Sequence, residues 1–272
     1  MITTFEEIYL NNRADNMPIL KSLALYQDFE WLAPQSKHYN TIVQKLADRL
    51  VVVDLIPRAR QLLSRQLKYG RLTDAERSKT GTRLALINLF EENPAEALEV
   101  LNATEYPDIS DSLQLHRKII RAKILAELGQ VDKAITLLEN DYSKNALLMK
   151  SEFYWKNQEW SNASDTIRYL IDTPKEGEKL SEEQTRYILD WATALNMAGK
   201  TPTLLRLRNK FMPYFKNTKY YSTFSILTSN LEYDKIDLKA INQVINDTSA
   251  FSNFTKIYNE TLKNNSLSET IK

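Results

Sequence analysis

The stretch ALNMAGKT, residues 194–201, lacks only a Gly at position 194 to complete the G-x-x-x-x-G-K-T of a phosphate-binding loop. Such a loop follows a β-strand and cradles phosphate oxygens with backbone N–H groups at the start of a helix. Here the preceding segment, SEEQTRYILDWATALNMAG, places Ile188, Trp191, Ala192, Leu195 and Ala198 at helical spacing. Pro202, directly after Thr201, has no N–H to offer. The expected structure is a corner between two helices, with Gly199 at the turn and Thr201 and Pro202 as N-cap and N1 of the second. No nucleotide is expected.

Other chemistry is thinly supplied. The chain has no Cys, which excludes disulfides, thiolate nucleophiles and Cys-based zinc sites. Its two His, His38 and His116, have no His or carboxylate at the i+3 or i+4 spacing of a zinc site. Neither G-x-S-x-G nor H-E-x-x-H occurs. The acidic pairs Glu91-Glu92 and Glu182-Glu183 fall at a helix end and a helix start, and at the start dipole complementarity alone favours carboxylates. The expectation is a chain without catalysis, metal or cofactor.

Two basic stretches remain. Residues 55–73 carry Arg58, Arg60, Arg65, Lys68 and Arg71 with no acid. Residues 200–220 carry Lys200, Arg206, Arg208, Lys210, Lys216 and Lys219, interleaved with Phe211, Tyr214, Phe215 and Tyr220. Aromatic rings among cations can stack single-stranded bases while neutralising phosphates, so single-stranded nucleic acid is the alternative partner. Against it, 36 Lys and Arg balance 35 Asp and Glu, leaving a net charge of +1 and no long-range field. A capping helix with buried aromatics and a solvated basic edge is the favoured reading.

The elements that must position these residues are helical. Five Gly and eight Pro in 272 residues are few, and alternating strand patterns are nearly absent, which argues for an all-α chain. MITTFEEIYLNN has neither the basic nor the apolar region of a leader, and no run approaches the ~18 apolar residues of a spanning helix. A soluble chain is expected.

The helices repeat. A small residue is followed twelve positions later by Ala at Ala47 and Ala59, Ala85 and Ala97, Ala122 and Ala134, and Ser151 and Ala163. Four residues beyond each second Ala stands Leu63, Leu101, Leu138 or Ile167, and three before it stands Ile56, Pro94, Val131 or Trp160. Small residues facing each other let two antiparallel helices approach, and the large residue one turn on fills the flank. Helix ends agree: Asn93 with Pro94 reads as N-cap and N1, Thr73 with Glu76 and Ser181 with Gln184 as capping boxes, Gly129 as a C-terminal cap.

At these residues the chain resembles the tetratricopeptide repeat family, with VDKAI and WSNAS opening second helices. Residues 40–65, 78–103, 115–140 and 144–169 make four repeats, and 185–210 a degenerate fifth in which Leu204 replaces the second Ala. LALYQDFEWLAP and LADRLVVVDLIPRARQLLSRQL further resemble the C-terminal helical region of large bacterial tetratricopeptide proteins without assigned activity. The resemblance implies a tetratricopeptide-like α-solenoid, a right-handed superhelix of antiparallel helix pairs with helical caps, that binds another protein or peptide. It also implies a bacterial source, with the cytoplasm or cell envelope as the place.

In that family the first helix of each pair lines a concave groove. The matching positions here are Gln44, Lys45 and Asp48, then Lys79 and Arg83, then His116, Lys123 and Glu127, then Glu152, Trp155 and Lys156, then Arg186 and Asp190. They give a mixed-charge groove with one aromatic. Some members clamp a peptide's terminal carboxylate with Lys and Asn from two repeats and a Lys and Arg four apart in a third. Lys79 and Arg83 match that last pair, whereas Lys45 and Asp48 stand where Asn would be expected, leaving a local anion site as the reading. The bland alternative is a solvated helix face paired with nearby acids.

Three regions follow: a helical cap over 1–33, about five repeats over 34–210, and capping helices with a frayed tail over 211–272. Beyond the repeats, YYSTFSILTSNL, DLKAINQVIN and FSNFTKIYNETL read as helices and NNSLSETIK as the tail.

Overall fold

The computed structural model describes residues 2–10, 16–29, 31, 38–174 and 178–229, and among these every regular element is a helix. In chain order they are α1 (Ile2–Leu10), α2 (Ile19–Asp28), α3 (Tyr39–Val52), α4 (Ile56–Tyr69), α5 (Asp74–Phe90), α6 (Pro94–Ala103), α7 (Asp111–Glu127), α8 (Val131–Leu137), α9 (Lys144–Lys156), α10 (Trp160–Ile167), α11 (Glu182–Met197), α12 (Thr201–Phe215) and α13 (Tyr221–Leu227). They pack as sequential antiparallel pairs. The chain divides into two compact units, one ending at Leu137 and the other beginning at Leu138.

One corner recurs in all five pairs from α3–α4 to α11–α12. The residue after the first helix's last turn is left-handed: Asp54 (φ 62°), Glu92 (58°), Gly129 (77°), Gln158 (59°) and Gly199 (66°). The next amide bonds five residues back, Leu55 to Leu50 O (2.8 Å), Asn93 to Asn88 O (2.9 Å), Gln130 to Leu125 O (2.8 Å), Glu159 to Tyr154 O (2.8 Å) and Lys200 to Leu195 O (2.9 Å). The left-handed residue's own N–H bonds three back, as in Glu92 to Leu89 O (3.1 Å). These two bonds satisfy carbonyls that a helix end would otherwise orphan, and they fix the angle at which the second helix leaves.

The second helices then begin at Ile56, Pro94, Val131, Trp160 and Thr201. Lys200, not Thr201, is the N-cap of α12, because the residue after the left-handed one already carries the non-helical ψ of 54°. Asn93 is the N-cap of α6 as expected, although its side chain makes no capping bond. The first helices α5, α7, α9 and α11 are capped by side chains instead, whereas His38 at the start of α3 makes no capping bond. Thr73 and Glu76 form the full capping box, and Ser110, Ser143 and Ser181 each accept an N–H three residues on. Ser181 makes only half of its expected box, since the Gln184 amide donates to Leu170 O and accepts from Asp172 N–H.

Packing follows the small-residue spacing. Ala47, Ala59, Leu63, Ala85, Ala97, Leu101, Ala122, Ala134, Leu138, Ser151, Ala163 and Ile167 are all 0% exposed. In the fifth pair Ala192 is also 0% exposed and Leu204 is buried. Burying each such Leu or Ile contributes about 1.5–3 kcal/mol relative to leaving it in water.

In the unit ending at Leu137, α1 and α2 pack against α3, with the Tyr9 hydroxyl donating to Ser22 O at 2.8 Å. In the unit from Leu138, α13 packs on α11 and α12, and Phe215 stacks on Phe224 with centroids 4.1 Å apart. The helix expected in YYSTFSILTSNL is thus present, while DLKAINQVIN, FSNFTKIYNETL and the tail lie outside the described residues. Helix α12 runs on to Phe215, past the expected boundary at 210.

Candidate functional site

First helices carry the candidate residues, and their exposure divides them. In the unit ending at Leu137, Gln44, Lys45, Lys79 and His116 are half-buried and Glu127 is exposed, but Asp48, Arg83 and Lys123 are buried. The Arg83 guanidinium, 0% exposed, lies 3.8 Å from the Asp48 carboxylate on the preceding first helix. That distance is a charge contact without a short bidentate bond. The pair expected to form a local anion site therefore divides: Arg83 faces an internal acid, and Lys79 reaches partial solvent.

Lys123 meets Glu127 one turn on at 2.9 Å. His116 Nδ1 lies 2.7 Å from Ser112 O, and since a carbonyl only accepts, Nδ1–H is the donor. Lys45 Nζ donates to Leu10 O at 3.4 Å.

In the unit from Leu138, Lys156 and Arg186 are exposed while Glu152 and Asp190 are buried. Glu152 receives Lys156 Nζ at 2.8 Å. Trp155, expected as the aromatic of an open groove, is half-buried. It packs against Leu147, Ala163, Ile167, Leu170, Tyr187 and Ala194 and stands edge-on to Trp160 at 5.2 Å. Its ring area goes to the core because α10 begins at Trp160, directly beside it across the corner.

Some strongly placed side chains escaped the sequence reading. Arg117 on α7 is buried and donates to Ser78 O (2.9 Å), Thr82 Oγ1 (2.9 Å) and Leu101 O (2.6 Å), tying α7 to α5 and α6. Burial pulls its guanidinium below the ordinary arginine range, with Glu105 opposing and Arg121 adding to the effect. Lys150 on α9 likewise donates to Asp141 O at 2.8 Å. All but one of these acceptors are backbone carbonyls, which have no side-chain signature, and Thr82 lies on another helix, so no spacing rule could have found either.

The two basic stretches have mostly local partners. Arg60 Nε meets Glu91 at 2.8 Å, and Lys200 Nζ meets Asp165 at 2.9 Å and Ser164 Oγ at 3.1 Å. Gly199 turns the ALNMAGKT corner, with Ala194 inside α11, as expected. Phe211 and Phe215 are 0% exposed, so any base stacking in 200–220 would fall to Tyr214 and Tyr220, which are themselves packed on the core.

No family model, curated protein or solved structure matches this chain. The site must be read from its own geometry. Among the described residues no group of three or more His, Asp or Glu could hold a metal ion, and no helix is long and apolar enough to cross a membrane. What the exposed first-helix positions offer is a sparse array of charges: Glu127 in one unit, and Lys156 and Arg186 in the other. Glu127 shares α7 with the buried Arg117, and Lys156 shares α9 with the buried Lys150.

Proposed function

We propose that the chain is a non-catalytic scaffold of the tetratricopeptide type, a right-handed superhelix of repeated helix pairs that binds a protein or peptide. The observation that carries this is the recurrence of one corner five times, always five residues before Ala59, Ala97, Ala134, Ala163 or Leu204. Geometry in phase with packing is what a stacked unit requires, and stacked helix pairs serve as extended binding surfaces.

Contact falls to the first-helix residues that reach solvent. Glu127, Lys156 and Arg186 meet the partner, with Gln44, Lys45, Lys79 and His116 half-buried beside them. Asp48 and Arg83 join α3 to α5, and Lys123, Glu152 and Asp190 are buried away from the partner. Affinity capture from the source cell tests this with wild type, Glu127→Lys and Lys156→Glu/Arg186→Glu, all with unchanged circular dichroism. At least one variant is expected to lose a wild-type partner by about tenfold or more, the order of a mispaired interface charge. Identical capture by all three would contradict the reading.

A further inference from the structure

A cleft of about 700 Å³ opens between α7, the loop 104–110 that leads into it and the end of α8. Its apolar lining is Tyr106, Ile109, Leu115 and Leu137, and Leu115 is 37% exposed although it stands inside a helix. Its polar lining includes Arg117, Lys118 and Arg121, three cations of α7 at helical spacing. The stretch that carries them, QLHRKIIRAK at 114–123, holds no acid.

Arg117 gives this lining its character. It is 5% exposed, and its hydrogen bonds all go to neutral acceptors, the carbonyls of Ser78 and Leu101 and the hydroxyls of Thr82 and Thr104. Burial disfavours its charge, Glu105 offsets part of that, and Arg121 adds to it. A buried cation answered by dipoles alone is stabilised when an anion comes near. The two carboxylates that line the cleft are already engaged: Glu105 is held by Arg121, and Asp111 stands in the first turn of α7, where the helix dipole answers it. Three cations against two acids leave the cleft short of one negative charge.

We propose that this cleft binds a segment of a partner protein in which a carboxylate side chain adjoins a large apolar one, the carboxylate meeting Lys118 and Arg121 and the apolar side chain covering Leu115 and Ile109. Arg121 uses one N–H on Asn102 and one on Glu105, and a guanidinium carries further donors for a second carboxylate. The volume falls within the roughly 300–1,000 Å³ of clefts that hold ligands. This goes beyond the surface proposed above. At about 3.6 residues per turn, Lys118 and Arg121 stand on the side of α7 opposite His116, Lys123 and Glu127.

Isothermal titration calorimetry on the full chain tests this with blocked, unlabelled hexapeptides: Gly-Ser-Phe-Glu-Ser-Gly, the same with Gln in place of Glu, and the same with Ala in place of Phe. The Phe-Glu peptide is expected to bind about tenfold or more tightly than either of the others, the order of one charge-assisted hydrogen bond or one large apolar side chain. Lys118→Gln/Arg121→Gln should erase the preference for Glu over Gln while keeping that for Phe over Ala. Leu115→Ser should do the reverse. All three positions reach solvent, so circular dichroism should be unchanged, and either variant decides alone should the other fail to fold. Glu127→Lys should bind the Phe-Glu peptide as wild type does. The proposal is overturned if wild type binds none of the peptides or all of them alike, or if a folded cleft variant keeps both wild-type preferences. Binding that survives both cleft variants but is lost in Glu127→Lys would overturn it too, placing the peptide on the opposite face of α7.

Discussion

A β-carbon added at Gly81 would lie 2.0 Å from Thr104 Oγ1 and 2.5 Å from Thr104 Cβ, because α5 and the end of α6 touch at this point. Glycine inside a helix ordinarily costs about 0.5–1 kcal/mol relative to alanine, so Gly81→Ala should stabilise on propensity alone. The clash reverses the sign. We expect Gly81→Ala to lower stability by about 1–3 kcal/mol in urea unfolding, and Gly81→Ala/Thr104→Ala to recover part of it. A raised midpoint in the single variant would contradict the close approach. Single residues were the hardest to read from sequence. Lys123 with Glu127 and Glu152 with Lys156 were legible in principle from their i,i+4 spacing. The Arg83 to Asp48 contact joins residues on different helices, and Trp155 turns inward because of Trp160; neither has a local signal.

Elements were more legible, and the reason is periodic packing. The small residues and the large ones four beyond each second Ala are all buried, while Ile56, Pro94, Val131 and Trp160 are half-buried, and Gly129 and Gly199 stand left-handed as expected. The same conformation at Asp54, Glu92 and Gln158 left no trace in the sequence, since tertiary packing imposes it on residues that disfavour it. Gln158→Gly should therefore stabilise by about 1 kcal/mol and raise the melting temperature by about 2–4 °C. No change would mean the corner is not held there.

Helix starts give a pH signature. Hydrogen bonds outweigh burial to hold the Glu76 carboxyl below its ordinary 4.5, with Thr73 N–H, Asn40 and the Thr73 hydroxyl as donors. For Glu183 the Lys144 hydrogen bond leads, burial opposes, and the Tyr187 hydroxyl assists. Both folded values are depressed, so the stability they lend is full above 4.5 and is lost as pH falls through the lower folded values. Glu76→Gln/Glu183→Gln should flatten the fall in urea midpoint between about pH 5 and pH 3. An acid limb as steep as that of wild type would remove these carboxylates from the explanation.

At the scale of the whole molecule charge is balanced, and on the proposed reading recognition rests on a few exposed side chains and on repetition of the helix pair. Repetition was visible as spacing before it was visible as geometry. Its identity with one structural unit is the central claim, and native-state hydrogen exchange on the full chain reads it most directly. The amides of Leu55, Asn93, Gln130, Glu159 and Lys200 close the five corners. All five are expected to exchange as slowly as interior amides of their own helix pairs. Exchange at these amides as fast as at Tyr106 or Thr173, in the connecting loops, would contradict a unit repeated five times.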